Sequence, residues 1–339
     1  MRIDCHAHIV GNGSNGSGCW IRSPARKWPL QALMVRHIGL PVSALKGDLD
    51  RLYVEKLLEW IRGSSLDAAV ILAQEQVYDD SGKLMDQYGT AYVPNEYVLK
   101  LAREHREFIP AVSIHPARAD AMEELERAVE GGAVMMKCLP NCQNIDCANP
   151  RFRKFWERMA EAGLILLAHT GGEHTLQIVR PEYADPRTLK LPLECGVTVI
   201  AAHSATKSGV TDPEYFHHFA EMVSAYPNFY GDNSAFNIPI RSRVVPKCIV
   251  PPVSEKMLFG TDYPVPIFGH WAWMRGFIDW KTFRRCQNNP NPIERDYQLK
   301  VAMGFPEETF TRLSTLLPKR AIAKVESGGA LRTEALVVK

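Results

Sequence analysis

Eight short apolar runs recur along the 339-residue chain, most of them followed by a stretch of helical periodicity, and this alternation restricts the possible folds more than any other feature. The runs are MRIDC, LDAAVILA, FIPAVSI, GAVMMKC, GLILLAH, GVTVIAAH, NFYGD and KMLFGTD. Their β-branched and fully apolar residues suit strands buried on both faces, as in a parallel sheet. Between them, LDRLYVEKLLEWIR, AMEELERAVE, FRKFWERMAEAG and YFHHFAEMVSAY carry apolar residues at three- and four-residue intervals, the pattern of an amphipathic helix. Gly131, Gly163 and Gly196 stand where such helices should stop. Repeated βα units predict a parallel sheet, and eight of them predict an α/β fold of the (β/α)8 TIM-barrel type. One barrel domain over 1–318 is expected, followed by a peripheral tail at 319–339.

The ends of these runs carry the chemistry. His6 and His8 follow the first, His169 the fifth, His203 the sixth and Asp262 the eighth, all at the strand terminus where parallel α/β proteins place their sites. His-x-His on an extended strand turns both imidazoles to one face. A single strand-end histidine is more often a hydrogen-bonded core residue than a ligand. Five nitrogen and oxygen donors arriving together suit zinc or its first-row neighbours. Lys137 ends the fourth run, Glu173 and His174 follow His169 in HTGGEH, and His115 and Asn141 also lie just past strands. Glu173 and His174 read equally as substrate-orienting groups or as an ion pair at the barrel mouth. His115 and Asn141 are candidate substrate contacts. His217 and His218 fall inside a helix and read as structural.

Composition narrows the partners. A net charge of +2, with dispersed lysines and arginines, predicts no nucleic-acid partner. No apolar stretch is long enough to span a bilayer and no leader pattern opens the chain, so a cytoplasmic protein without a membrane partner is expected. Eight cysteines in a chain this long are no disulfide scaffold, and the cluster Cys138, Cys142 and Cys147 matches no paired zinc-ligand spacing. The long segments 11–47 and 264–292 should wall the mouth of the barrel. Within the first, GNGSNGSGC reads as a flexible lid or as a passive surface loop.

With HAH, LLAHTGGEH, AAH and FGTDYP each after an apolar run, the chain resembles the amidohydrolase superfamily. More narrowly it is similar to the amidohydrolase-2 branch, which includes relatives of aminocarboxymuconate-semialdehyde decarboxylase. The resemblance implies His6, His8 and His169 as metal ligands, Asp262 as ligand and general base, and His203 as an acid or a substrate-polarising group. In some branches the lysine equivalent to Lys137 is carbamylated and bridges two metals; similarity to the single-metal branch favours an ammonium that pairs with Asp262 or with a substrate carboxylate. The implied cofactor is one divalent ion, zinc first with manganese or iron as alternatives, and a second only with a carbamylated Lys137. Ser204 and Ala205 depart from the glycine that relatives often carry after this histidine, and LLPKRA replaces their closing Asn-Ala motif.

The expected activity is hydrolysis of an amide, ester or lactone bond in a small molecule through metal-activated water. The alternative is a non-oxidative decarboxylase of an aromatic or unsaturated acid on the same ligands. A silent barrel is disfavoured because the ligand set is complete. A homodimer is the default assembly.

Overall fold

The computed structural model describes residues 1–22 and 28–327. The eight apolar runs form eight strands: β1 Ile3–His8, β2 Ala68–Leu72, β3 Phe108–Val112, β4 Met135–Cys138, β5 Ile165–His169, β6 Val199–Ala202, β7 Phe229–Asp232 and β8 Met257–Leu258. Each pairs in parallel with its successor. The ring then closes through Cys5 N–H to the Phe259 carbonyl at 2.9 Å, Asp262 N–H to His6 at 2.8 Å and His8 N–H to Tyr263 at 2.8 Å. The architecture is a (β/α)8 TIM barrel. Helices Leu49–Arg62, Asn95–Glu104, Ala121–Glu130, Arg153–Glu161 and Phe216–Ala225 fill crossovers on the outside.

Side-chain alternation divides the core into two layers. Along β2, Ala68, Val70 and Leu72 point into the barrel, whereas Ala69 and Ile71 pack under the helices. The helices end on the glycines expected at Gly163 (φ +67°) and Gly196 (φ +91°). Gly131 keeps a right-handed φ of −68°, and Gly132, at φ +90°, makes the left-handed turn instead.

Lys319–Glu326, read from sequence as the start of a peripheral tail, is a helix with Ala321 and Val325 buried among the barrel-interior residues. Leu313 and Leu317 join them, and Lys324 donates to the carbonyl of Phe108 at the start of β3, 2.8 Å away. These residues plug the N-terminal end of the barrel. The last stretch of the expected tail, 328–339, lies outside the described residues.

At the other end, Trp20–Ile21 pairs antiparallel with Ala91–Tyr92 over the mouth. The glycine-rich loop below it is tethered. The buried Asp50 carboxylate accepts from Asn12 N–H at 2.6 Å, Gly13 N–H at 3.2 Å and Ser17 Oγ at 2.5 Å. A Cβ at Gly11 would lie 2.6 Å from Asp50 Oδ1, so glycine lets the chain pass this carboxylate. Among the described residues no helix is long and apolar enough to cross a membrane.

Candidate active site

The site begins with an irregularity in β1. Asp4 pairs with Ala69 but Ala7 with Ile71, so β1 holds one extra residue between them. Ile3 and Cys5 point into the barrel and Ala7 outward. With Ile3 and Cys5 inward, simple alternation would send His6 outward and Ala7 inward; the bulge reverses this, turning His6 inward beside Cys5, and His8 follows. Asp4 pins this bulge to the segment after β8, accepting from His6 N–H at 2.9 Å, Thr261 N–H at 3.0 Å and Thr261 Oγ1 at 2.6 Å.

Three donor atoms now converge. His6 Nε2 lies 3.2 Å from His8 Nε2, and each is 3.3 Å from Asp262 Oδ1. His169 Nε2 is buried without a hydrogen-bond partner, and its ring lies 5.0 Å from that of His203. An orphaned buried imidazole nitrogen beside two imidazoles and a carboxylate suits a divalent cation. Burial, reinforced by Lys137, lowers the pKa of His6 to about 4, and burial lowers that of His169 to about 3, so both rings keep a lone pair at neutral pH. Burial raises the carboxyl of Asp262, but His203, His6 and His8 outweigh it and hold the group well below the usual range. Asp262 is therefore ionised.

Behind these groups lies a carboxylate that the sequence reading passed over. Asp232, the last residue of β7, is fully buried and accepts from His6 Nδ1 at 2.8 Å and His203 N–H at 2.7 Å. Ser234 Oγ lies 2.5 Å from Asp232 Oδ1 and 2.7 Å from His203 Nδ1. The consistent assignment has Ser234 donating to Asp232, His203 Nδ1–H donating to Ser234, and His6 Nδ1–H donating to Asp232. Both histidines then turn an unprotonated Nε2 away from this network. His6, His203 and Asp232 also form a compact trio of possible ligands, but their facing atoms are taken up by these hydrogen bonds. The available signal was Asp232's position at the end of the seventh run.

His203, Ser204 and Ala205 all adopt positive φ, at 60°, 49° and 54°. Left-handed backbone costs non-glycine residues about 1–2 kcal/mol each. Ser204 Oγ to the Asp232 carbonyl at 2.8 Å, Ala205 N–H to Thr170 Oγ1 at 3.0 Å and Thr206 Oγ1 to the His203 carbonyl at 2.7 Å hold the turn. The two departures from the glycine of relatives thus sit in a strained turn at the site.

The remaining candidates separate. Lys137 is fully buried, lines the cleft and places Nζ 3.1 Å from His6 Nε2; among the described residues it forms no ion pair, with Asp262 or any other carboxylate. Burial lowers its pKa. Glu173 lines the cleft 3.7 Å from His169 and accepts from Leu176 N–H at 2.9 Å and Thr175 N–H at 2.5 Å. Burial raises its carboxyl, while His169 and those two N–H groups bring it to a net lowering. His174 is instead on the surface, paired with Asp212 at 3.1 Å.

His115 and Asn141 lie apart from the described cleft lining. His115 Nε2 donates to the Gln143 carbonyl at 2.9 Å and its Nδ1 accepts from Ala117 N–H at 3.1 Å, so backbone occupies both nitrogens and leaves none for a substrate. Asn141 is buried, and its backbone carbonyl accepts from Val179 N–H at 2.8 Å and Arg180 N–H at 2.9 Å. Arg241, which the sequence reading also missed, is a buried guanidinium clamping Thr206 O at 2.8 Å and Gly172 O at 2.6 Å, with Nε unpartnered. Nothing in its local sequence, PIRSR, marks it.

The chain matches the amidohydrolase-2 family model, described as amidohydrolase, over residues 3–280. No curated protein matches it in sequence. Among solved structures it is similar to an uncharacterised TIM-barrel protein of Bordetella bronchiseptica, at 16% identity and TM-score 0.60, covering 96% of this chain and 99% of that one. It is also similar to 4-oxalomesaconate hydratase of Rhodopseudomonas palustris, at 16% identity and TM-score 0.51, covering 98% and 100%. The apo form of IDCase from Metarhizium anisopliae matches at 11% identity and TM-score 0.50, covering 93% and 97%. At these identities the structures speak to the fold, and the family model to the lineage. The chain belongs to the amidohydrolase-2 family, and it is an enzyme of the metal-dependent amidohydrolase superfamily.

Proposed function

We propose that the protein hydrolyses an amide, ester or lactone bond of a small molecule, with one divalent cation, zinc before manganese or iron, held by His6, His8, His169 and Asp262. The observation that carries this reading is the convergence of His6 Nε2, His8 Nε2 and Asp262 Oδ1 within 3.2–3.3 Å of one another. When bound, such an ion lowers the pKa of a water and polarises a substrate oxygen. Asp262, kept ionised, takes the proton from the attacking water. His203 is neutral in the resting site. Its Nε2 accepts a hydrogen bond from the substrate, or receives the proton from Asp262 and passes it to the leaving group. Glu173, tied to backbone N–H groups, orients the substrate beside His169.

Asp262→Asn should keep the fold and lose at least about a hundredfold of turnover, the usual scale for a general base. Full activity in that variant against an identified substrate would remove Asp262 from its role. Metal analysis by inductively coupled plasma mass spectrometry should find about one equivalent. A second equivalent would mean that Lys137 is carbamylated and bridging, and none after reconstitution would end the metal reading.

Decarboxylation of an aromatic or unsaturated acid is the second reading. It is favoured by Lys137, a buried basic group that lines the cleft and has no ion-pair partner among the described residues. Carbon dioxide release from candidate acids separates the two. A small-molecule substrate, a cytoplasmic setting and a homodimer complete the proposal; the first rests on the size of the cleft, ≈ 130 Å³.

A further inference from the structure

We propose that the cleft takes a substrate with two unlike ends: a polar reacting group at His8, His169 and Asp262, and an uncharged apolar arm, a ring or short alkyl chain of about six carbons, in a second chamber beside it. The proposal rests on the enzymatic reading above and names the class of molecule that site accepts.

Two cavities of ≈ 130 and ≈ 140 Å³ share Val10, Ile21, Met34, Ala91, Thr175, Leu176 and Pro264 as a common wall. Their polarity is segregated. The first contains His8, Lys137, His169, Glu173, His203 and Asp262, the second none of them. Beyond the shared wall the second chamber is lined by Val35, Ile38, Leu45 and Leu49, with Gln31 and Thr90 as its uncharged polar amide and hydroxyl. Arg22 is the one charged residue among those described around it, and it is engaged: it pairs with Asp86 at 2.8 Å and lies over the Trp20 ring at 4.3 Å. The Tyr53 hydroxyl is engaged too, donating to the His8 carbonyl at 2.7 Å. His8 thus joins the chambers, its ring in the reactive one and its carbonyl held from the apolar one.

Among the described residues a charged arm would find only Arg22, already paired with Asp86, whereas an apolar arm would cover the chamber's wall. An apolar cavity of about 150 Å³ accepts benzene, which sets the size of that arm. Each methylene moved from water to such a wall strengthens binding about fourfold.

Fluorobenzene, followed by fluorine NMR, tests the chamber without any metal; acetohydroxamate and hexanohydroxamate, titrated into the metal-loaded protein, test its connection to the reacting end. Native protein should bind fluorobenzene, and should hold hexanohydroxamate at least about tenfold more tightly than acetohydroxamate. Gln31→Trp and Leu45→Trp, on separate elements lining only the second chamber, should each abolish fluorobenzene binding and erase the chain-length preference while leaving acetohydroxamate unchanged. No fluorobenzene binding, binding that both variants retain, or equal affinity for the two hydroxamates would overturn the proposal. Fluorobenzene binding lost in both variants, with neither hydroxamate bound, would support the apolar chamber and instead sink the metal-centre reading.

Discussion

Asp232 acts on the reactive cluster from behind. Its hydrogen bond to His6 Nδ1, 2.8 Å, fixes the tautomer that exposes Nε2, and its link through Ser234 does the same for His203. Burial raises the Asp232 carboxyl, but His6, His203 and Ser234 outweigh it and drive it well below the usual range. Asp232→Asn removes the charge that orients His6. Zinc affinity, measured by chelator competition, should fall about 10–100-fold with the fold retained; undiminished affinity would show that Asp232 only packs. Away from the site, His37 Nε2 accepts from Ile267 N–H at 2.9 Å, which requires a neutral ring. Burial, aided by Arg295, lowers the pKa of His37 from 6.5 to about 4. Between these values the unfolded chain binds the proton and the folded one does not, so this contribution to stability is whole above pH 6.5 and lost as the pH falls towards 4. Urea denaturation of His37→Gln should therefore fall less steeply between pH 6.5 and 4 than that of the parent; parallel curves would remove His37 from the acid response.

At the scale of elements, the loops after β5 and β6 touch because glycine lets them. A Cβ on Gly171, which has φ +78°, would lie 2.2 Å from the Thr206 carbonyl oxygen, and one on Gly172 would lie 1.9 Å from Asp212 Oδ2. In the fold these glycines permit close approach of one loop to another. Gly171→Ala should cost about 2 kcal/mol or more of stability, because backbone cannot yield as a flexible side chain can. Calorimetry showing an unchanged melting temperature would contradict that contact. The bulge in β1 has a similar standing. The HAH spacing places His6 and His8 on one face, but the extra residue between Asp4 and Ala7 decides that this face is the interior.

Across the whole molecule, the C-terminal helices and the active-site mouth sit at opposite ends of one barrel. Leu317, buried in the interior cluster with Ile3 and Val134, helps to close the end remote from Asp262. Leu317→Ala should cost about 2–4 kcal/mol while leaving turnover per folded molecule unchanged; a changed rate in the folded fraction would show that the two ends are coupled. The sequence by itself determined the eight strands, their parallel order and the strand-end placement of His6, His8, His169, His203 and Asp262, because hydrophobic periodicity and strand polarity are local properties. Other features were decided only by the tertiary structure: the partnership of Asp232 with His6 across 226 residues, the clamp of Arg241, the tether of Asp50, and the seating of His115 and Asn141 away from the cleft. Each of these depends on which buried polar group finds which partner. That choice is made by closure of the barrel, which brings distant strands within hydrogen-bonding range, and no local pattern encodes it.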